Sequence, residues 1–324
     1  MPEIIKDRCE GDGHRPLAVH RRIHRVGRGL IVLIALAGCL LVLSFLEFRL
    51  ARIGQTKAST DELVVERGLG LRKVIDRLTP DSITPKVLLW FWARVQLRSQ
   101  TIKAGVYPLE EHLVLPIILD RMAHGQGKPL LWQVREGQSL EQMRSLLATL
   151  PYVEHQSKAW SSSQLHQSLQ ERLGGDLSAG SLEGLFFPDT YHYVPGMSDL
   201  ELLAQACQRQ LKLLNTVWAQ RPQSYPLRSP AELLVLASLV EKETGLADDR
   251  ARVAAVFLNR LRLGMRLQSD PTVIYAMGSP EKRRLSRKDL QTDHPHNTYT
   301  RFGLPPTPIA IPGEAALLAS IRPS

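Results

Sequence analysis

From Gly29 to Leu46 the chain carries no charged residue, and 15 of those 18 positions are Leu, Ile, Val, Ala, Phe or Cys. As a helix this run is about 27 Å long, close to the thickness of a bilayer's hydrocarbon core. Arg15, Arg21, Arg22, Arg25 and Arg28, with His20 and His24, precede it, and only Glu47, Arg49 and Arg52 follow closely. The basic excess stays on the cytoplasmic side, so everything after about residue 50 is expected outside. A cleaved signal peptide is the alternative. The run exceeds a signal core, however, and Glu47-Phe48-Arg49-Leu50 follows it instead of small residues. The expected order is a cytoplasmic tail over 1–28, a transmembrane helix over 29–48 and a polar tether over 49–60.

The remaining chain is long enough for one to two domains. Net charge is +9, of which +3 lies in the first 28 residues; the rest is mildly basic and spread out. Nucleic acid is excluded as a partner, because it lies across the membrane and no aromatic-basic patch exists to hold it. An anionic polymer outside the membrane fits better. Cys9, Cys39 and Cys207 fall in the tail, the span and the outer part, so the outer part forms no intrachain disulfide. No Cys/His spacing suggests zinc, and His294 and His296 read as solvated loop histidines. Neither a metal nor an organic cofactor is called for.

Residues 61–127 read as a compact α+β module. Glu62–Glu66 suggests a strand, and Leu71, Val74, Ile75 and Leu78 have helical spacing. A helix follows over 86–97, with Trp90 and Phe91 as core residues, then a short strand over 104–107 and a helix over 113–122. From Leu130 the pattern restarts as a larger mixed α+β domain over 128–324: a strand over 130–134, a helix over 140–150 after the turn Glu136-Gly137-Gln138, and a Ser/Gln-rich surface segment over 155–181. The aromatic, extended stretch Glu183–Tyr193 comes next, then a helix over 199–220.

The most pointed feature of this domain is a helix that begins at Pro230. Ser229, Pro230 and Glu232 fit the N-cap, first and third positions of a capping box. Apolar residues occupy nearly all its sides up to Val240, so it is expected to be buried. Glu241 then stands where the pattern calls for Leu or Ala, on the face of Ala237 and Ser238. A desolvated carboxyl has a raised pKa, the state a general acid needs near neutral pH. The alternative for Glu241 is an exposed helix end or an ion pair with Lys242 or an arginine. A further helix is expected over 249–263, capped by Asp248 or Asp249 and stopped by Gly264. Met265–Asp270 alternates like a strand with Arg266, Gln268 and Asp270 on one face, ended by Pro271. Those polar groups would suit hydrogen bonds to a sugar, or simply form an exposed strand face.

Three segments then carry a family resemblance: Leu236–Thr244, Arg252–Leu261 and Gly264–Tyr275. So do Glu183-Gly184 with Phe187–Tyr191, and Asn297-Thr298-Tyr299 with Gly303–Pro306 and Pro308-Ile309. Together they resemble the endolytic murein transglycosylases of the MltG (YceG-like) family, from about residue 30 to the end. The resemblance implies a LysM-like module over 61–127 and a transglycosylase domain over 128–324. It makes Glu241 the catalytic acid/base and places Gln268, Asp270, Asn297 and Tyr299 in the glycan cleft. Family members continue past the equivalent of Arg322-Pro323, so the catalytic domain is expected to be C-terminally incomplete.

The implied partners are peptidoglycan glycan strands, peptidoglycan synthases and the inner membrane, with the catalytic part periplasmic. The implied reaction cuts the β-1,4 bond between N-acetylmuramic acid and N-acetylglucosamine and leaves a 1,6-anhydro end, which would limit nascent strand length. Two other readings stay open: a muramidase-type hydrolase with Asp270 as a second carboxylate, and a non-catalytic peptidoglycan-binding scaffold.

Overall fold

The computed structural model describes residues 17–50, 62–79, 82, 84–98, 100–109, 113–174, 177, 181–278 and 284–324, with side chains from residue 30 onward. The expected tail up to residue 16, and all of the tether except residues 49 and 50, lie outside them. The fold is mixed α+β, in two compact units.

The smaller unit takes in most of the chain up to Gly127. It starts with helix α1 (Leu17–Leu50), whose segment Leu30–Leu50 is long and apolar enough to cross a membrane. Strand β1 (Glu62–Val65), helices α2 (Leu71–Leu78) and α3 (Lys86–Leu97), strand β2 (Gly105–Pro108) and helix α4 (Leu115–His124) follow. β1 and β2 pair in a two-stranded sheet. The core of this unit includes Val74, Ile75, Leu89, Leu97, Leu115, Ile118, Leu119 and Met122. Trp90 and Phe91 are not in that core: they are 40% and 46% exposed, because only Leu89, Ala93 and Leu97 of α3 face inward.

The larger unit, chiefly residues 128–324, contains strand β3 (Leu130–Gln133), helix α5 (Leu140–Leu147), strand β4 (Val153–Glu154), helix α6 (Ser162–Leu173), strands β5 (Thr190–Tyr193) and β6 (Met197–Ser198), and helices α7 (Asp199–Ala219), α8 (Pro230–Glu243), α9 (Ala247–Arg262), α10 (Asp270–Ala276), α11 (Arg287–Gln291) and α12 (Glu314–Ile321). β3 runs antiparallel to β5, with Trp132 opposite Tyr191, and β4 pairs parallel with β6. Helix α8 is the centre of this unit. Every residue from Leu233 to Val240 is buried, against α7, α9, α10 and α12.

Two local expectations need correction. The capping box of α8 is half formed: the Glu232 N–H donates to Ser229 Oγ at 3.2 Å, but the Glu232 carboxylate accepts from the Arg228 N–H. α9 is entered through Leu246, with Asp248 and Asp249 inside its first turn, where their charges favour the helix dipole instead of capping it.

Candidate active site

The end of α8 is held by a strap of chain over residues 308–313. Ser238 Oγ donates to the Val235 carbonyl one turn back and accepts the Ile309 N–H at 3.1 Å. Ile311 exchanges two 2.8 Å backbone hydrogen bonds with the turn at Gly137 and Gln138. The buried amide of Gln210, from α7, donates to the carbonyls of Gly184 and Pro312. Gly184 has φ +77°, and a Cβ there would press into Pro308, so only glycine lets the two segments approach this closely.

This strap delivers the Gly313 N–H to Glu241 Oε2 at 3.0 Å. Glu241 Oε1 faces the Arg250 guanidinium at 3.2 Å, and the two side chains are 5% and 12% exposed. The Glu241 carboxylate is thus both covered and paired with an arginine. A second carboxylate adjoins the pair. Glu136 Oε2 lies 3.9 Å from Arg250, and a Cβ on Gly313 would overlap the Glu136 carboxylate. Burial and then the charge of Glu241 raise the Glu136 pKa, against the pull of Arg250. Arg250 therefore serves two carboxylates, and Gly313 is wedged between them.

The residues expected to line a glycan cleft gather on the other side of the helix end. Met265–Ser269 is irregular and not a strand: Gln268 has φ +48°, its N–H donates to the Thr298 carbonyl, and its side chain is exposed. Pro271 does not end an element; it sits in the first turn of α10, which Asp270 opens. Tyr299 donates to Asp270 Oδ1 at 2.5 Å, and burial, with the Asp270 bond, pushes the phenol up to about 12. Ser269 Oγ donates to Glu243 at 3.0 Å. Glu243, two residues after Glu241 and about 200° around the helix, thus faces Ser269 and Tyr299. Asn297 is 1% exposed; its amide donates to the carbonyls of Leu290 and Thr292, and its oxygen accepts the Tyr299 N–H. It builds the loop from within.

An open groove of about 2050 Å³ runs along this unit. Glu136, Gly137 and Lys242 lie on its wall beside Glu241, and Pro271, Ile274 and Tyr275 on another part, with Glu183, His294 and His296 between. Glu241, Gln268, Asp270, Asn297 and Tyr299 are not among its lining residues, so the expected site residues flank the groove at the end of α8.

Within the groove, Glu183 accepts the Leu140 N–H at 2.8 Å and the Tyr275 hydroxyl at 3.2 Å. Burial pushes its carboxyl up to about 7. His296 is half-buried, 4.9 Å from the Tyr275 ring, and bonded to Thr307. Burial, then His294, pushes it down to about 4, so it is no solvated loop histidine. In the sequence Glu136 belongs to a turn and Arg250 to the start of a helix. Neither has a local pattern that marks it, because both reach Glu241 through tertiary contacts.

The family model described as YceG-like matches residues 63–324. This chain belongs to the YceG-like family. An endolytic murein transglycosylase of Bacillus subtilis is 33% identical over 232 residues, covering 68% of this chain and 64% of that protein. A protein of the same name from Streptococcus pneumoniae is 33% identical over 146 residues, 44% of this chain and 26% of that one. The chain thus spans less than two thirds of the length of the named relatives it matches. A crystal structure of a YceG-like protein from Listeria monocytogenes superposes with a TM-score of 0.53 at 25% identity, over 82% of this chain and 91% of that one.

Proposed function

We propose that this YceG-like chain is a membrane-anchored lytic transglycosylase that cuts peptidoglycan glycan strands endolytically. The observation that carries this reading is Glu241, a carboxylate nearly covered at the end of a buried helix and oriented by Arg250 and the Gly313 N–H. The names of the Bacillus and Streptococcus relatives supply the substrate class. The anchor is the segment Leu30–Leu50, with the arginines before it in the cytoplasm and the rest of the chain outside. The strand–helix–helix–strand order of β1, α2, α3 and β2 supports a LysM-like module.

In the first step Glu241 donates a proton to the oxygen that joins muramic C1 to the glucosamine ring, and the C1–O bond breaks. In the second, Glu241 takes the proton of the muramic 6-hydroxyl as that oxygen bonds to C1. The product is a 1,6-anhydro end, and no water is consumed. A group that is acid and then base must hold and release a proton near ambient pH. Glu136 stands beside Glu241 at the same arginine, and burial and the charge of Glu241 raise its pKa against the pull of Arg250. Asp270 and Tyr299 offer a carboxylate and a phenol for sugar hydroxyls on the opposite flank.

Asp270 as a hydrolytic nucleophile or base is the second reading; Tyr299 already occupies its Oδ1, so that role would require the bond to open. Digestion of purified sacculi with mass analysis separates the two. Anhydro-muramic ends support the transglycosylase; reducing muramic ends overturn it.

A further inference from the structure

Helix α3 turns a stripe of large apolar side chains away from its own unit. Val87, Trp90, Phe91 and Val95 are 64%, 40%, 46% and 51% exposed, opposite the buried Leu89, Ala93 and Leu97. Arg94 and Arg98 share the outer face and are also exposed. Such a stripe on a water-bathed helix is an anomaly that calls for an occupant.

The contact between α3 and α1 names it. Trp92 donates its indole N–H to Ser44 Oγ at 3.1 Å, and its ring meets Phe45 edge-on at 4.9 Å. Phe48 is buried, and Glu47 accepts from Ser82 and from the Thr84 N–H. Ser44 lies six residues before Leu50, where the apolar segment ends, which is about 9 Å of helix. A helix packed on Ser44 and Phe45 therefore sits within about 9 Å of the outer edge of the hydrocarbon if Leu30–Leu50 spans the bilayer. Its outward face would then meet lipid, not water. An amphipathic helix with Trp and Phe on that face, and arginines able to reach headgroup phosphates, has the composition of an interfacial helix.

We infer that the outer face of α3 is a membrane-docking surface: Val87, Trp90, Phe91 and Val95 enter the outer boundary of the bilayer that holds α1, and Arg94 and Arg98 contact lipid phosphates. The inference rests on the anchor proposed above. It gives the smaller unit a second attachment and so fixes its orientation on the membrane, where a single helix would let it swivel.

The test uses the full chain in vesicles of phosphatidylethanolamine and phosphatidylglycerol. The native cysteines are replaced (Cys9→Ser, Cys39→Ala, Cys207→Ala), and one new cysteine per variant carries an environment-sensitive fluorophore: Phe91→Cys, Val95→Cys, Leu36→Cys within the span, or Gln167→Cys on the outer side of α6. Labels at 91 and 95 should lose most of their fluorescence to spin-labelled lipid and be shielded from aqueous iodide, as at 36; the label at 167 should show the reverse. If 91 and 95 behave like 167 while 36 reports lipid, the docking surface is wrong and the anchor stands. Should 36 also report water, the anchor fails and the surface with it. Shielding at 91 that appears only when glycan fragments are added would make the stripe a sugar platform and overturn the proposal.

Discussion

Helices α3 and α8 are both predominantly apolar and sit in opposite settings. In α8 the run Leu233–Val240 is covered on all sides, by α7, α9, α10, α12 and the 308–313 strap. In α3 only one side is covered, by α1, α2 and α4, and Val87, Trp90, Phe91 and Val95 are left outside. An apolar helix declares that it needs an apolar environment; it does not declare whether protein or lipid supplies it. A charged residue near the end of each helix reflects its setting. Glu241 is caught between Arg250 and a backbone N–H, whereas Arg98 remains exposed.

Truncation separates the two helices most sharply. Leu236→Ala removes a fully buried side chain from α8 and should cost about 2–5 kcal/mol, read from the unfolding transition of the larger unit. A loss below about 1 kcal/mol would mean that the centre of α8 is loosely packed, and the contrast with α3 would dissolve.

Acid–base behaviour in the groove should follow, at somewhat smaller scale. The Glu183 carboxyl is pushed up to about 7 from an ordinary 4.5, so its contribution is full below the ordinary value and is lost as pH rises to about 7; the change amounts to about 3 kcal/mol. His296, pushed down from 6.5 to about 4, contributes in the opposite sense: full above 6.5 and lost as pH falls through 4. The two slopes offset each other in the parent chain. Glu183→Gln should therefore lose stability on acidification from pH 6.5 to 4 more steeply than the parent, and His296→Asn should lose stability as pH rises from 4.5 to 7. Melting curves across that range check both, and identical pH profiles for the parent and both variants would contradict the burial assigned to the pair.

Phe91→Ala should have the smallest effect, within about 0.5 kcal/mol for the chain in detergent, because the ring leaves no cavity in the protein. A cost like that of Leu236→Ala would make the outer face of α3 part of a core.

Much of the helical framework was legible in the sequence. The apolar spacing and the Ser229-Pro230 start located α8, and α3 fell at 86–97 as expected. Failures came where local pattern and tertiary setting diverge. Met265–Asp270 alternates like a strand, but the Gln268 N–H is bonded to Thr298 and Asp270 opens a helix, so the alternation served a loop. Trp90 and Phe91 looked like core because burial by lipid and by protein demand the same side chains. At the site, Glu241 stood out because a charge broke an apolar run. Arg250, Glu136 and Gly313 did not, since the strap that joins them depends on Ser238 and Gln210 reaching residues 71 and 102 positions away. Glu243, two residues on from Glu241, is held by Ser269 on the other side of the helix end.

The decisive measurement is release of anhydro-muropeptides from sacculi by the parent chain, Glu241→Gln and Glu243→Gln, with melting curves to confirm that each variant folds. Gln at 241 keeps the size and an acceptor for the Gly313 N–H but cannot carry the proton. Its release should fall by roughly 10²–10⁴-fold, the range of a general acid–base group. Glu243→Gln, which alters only the Ser269 and Tyr299 side, should lose far less. Undiminished release by a folded Glu241→Gln, or a larger loss for Glu243→Gln, would contradict the assignment of the chemistry to Glu241.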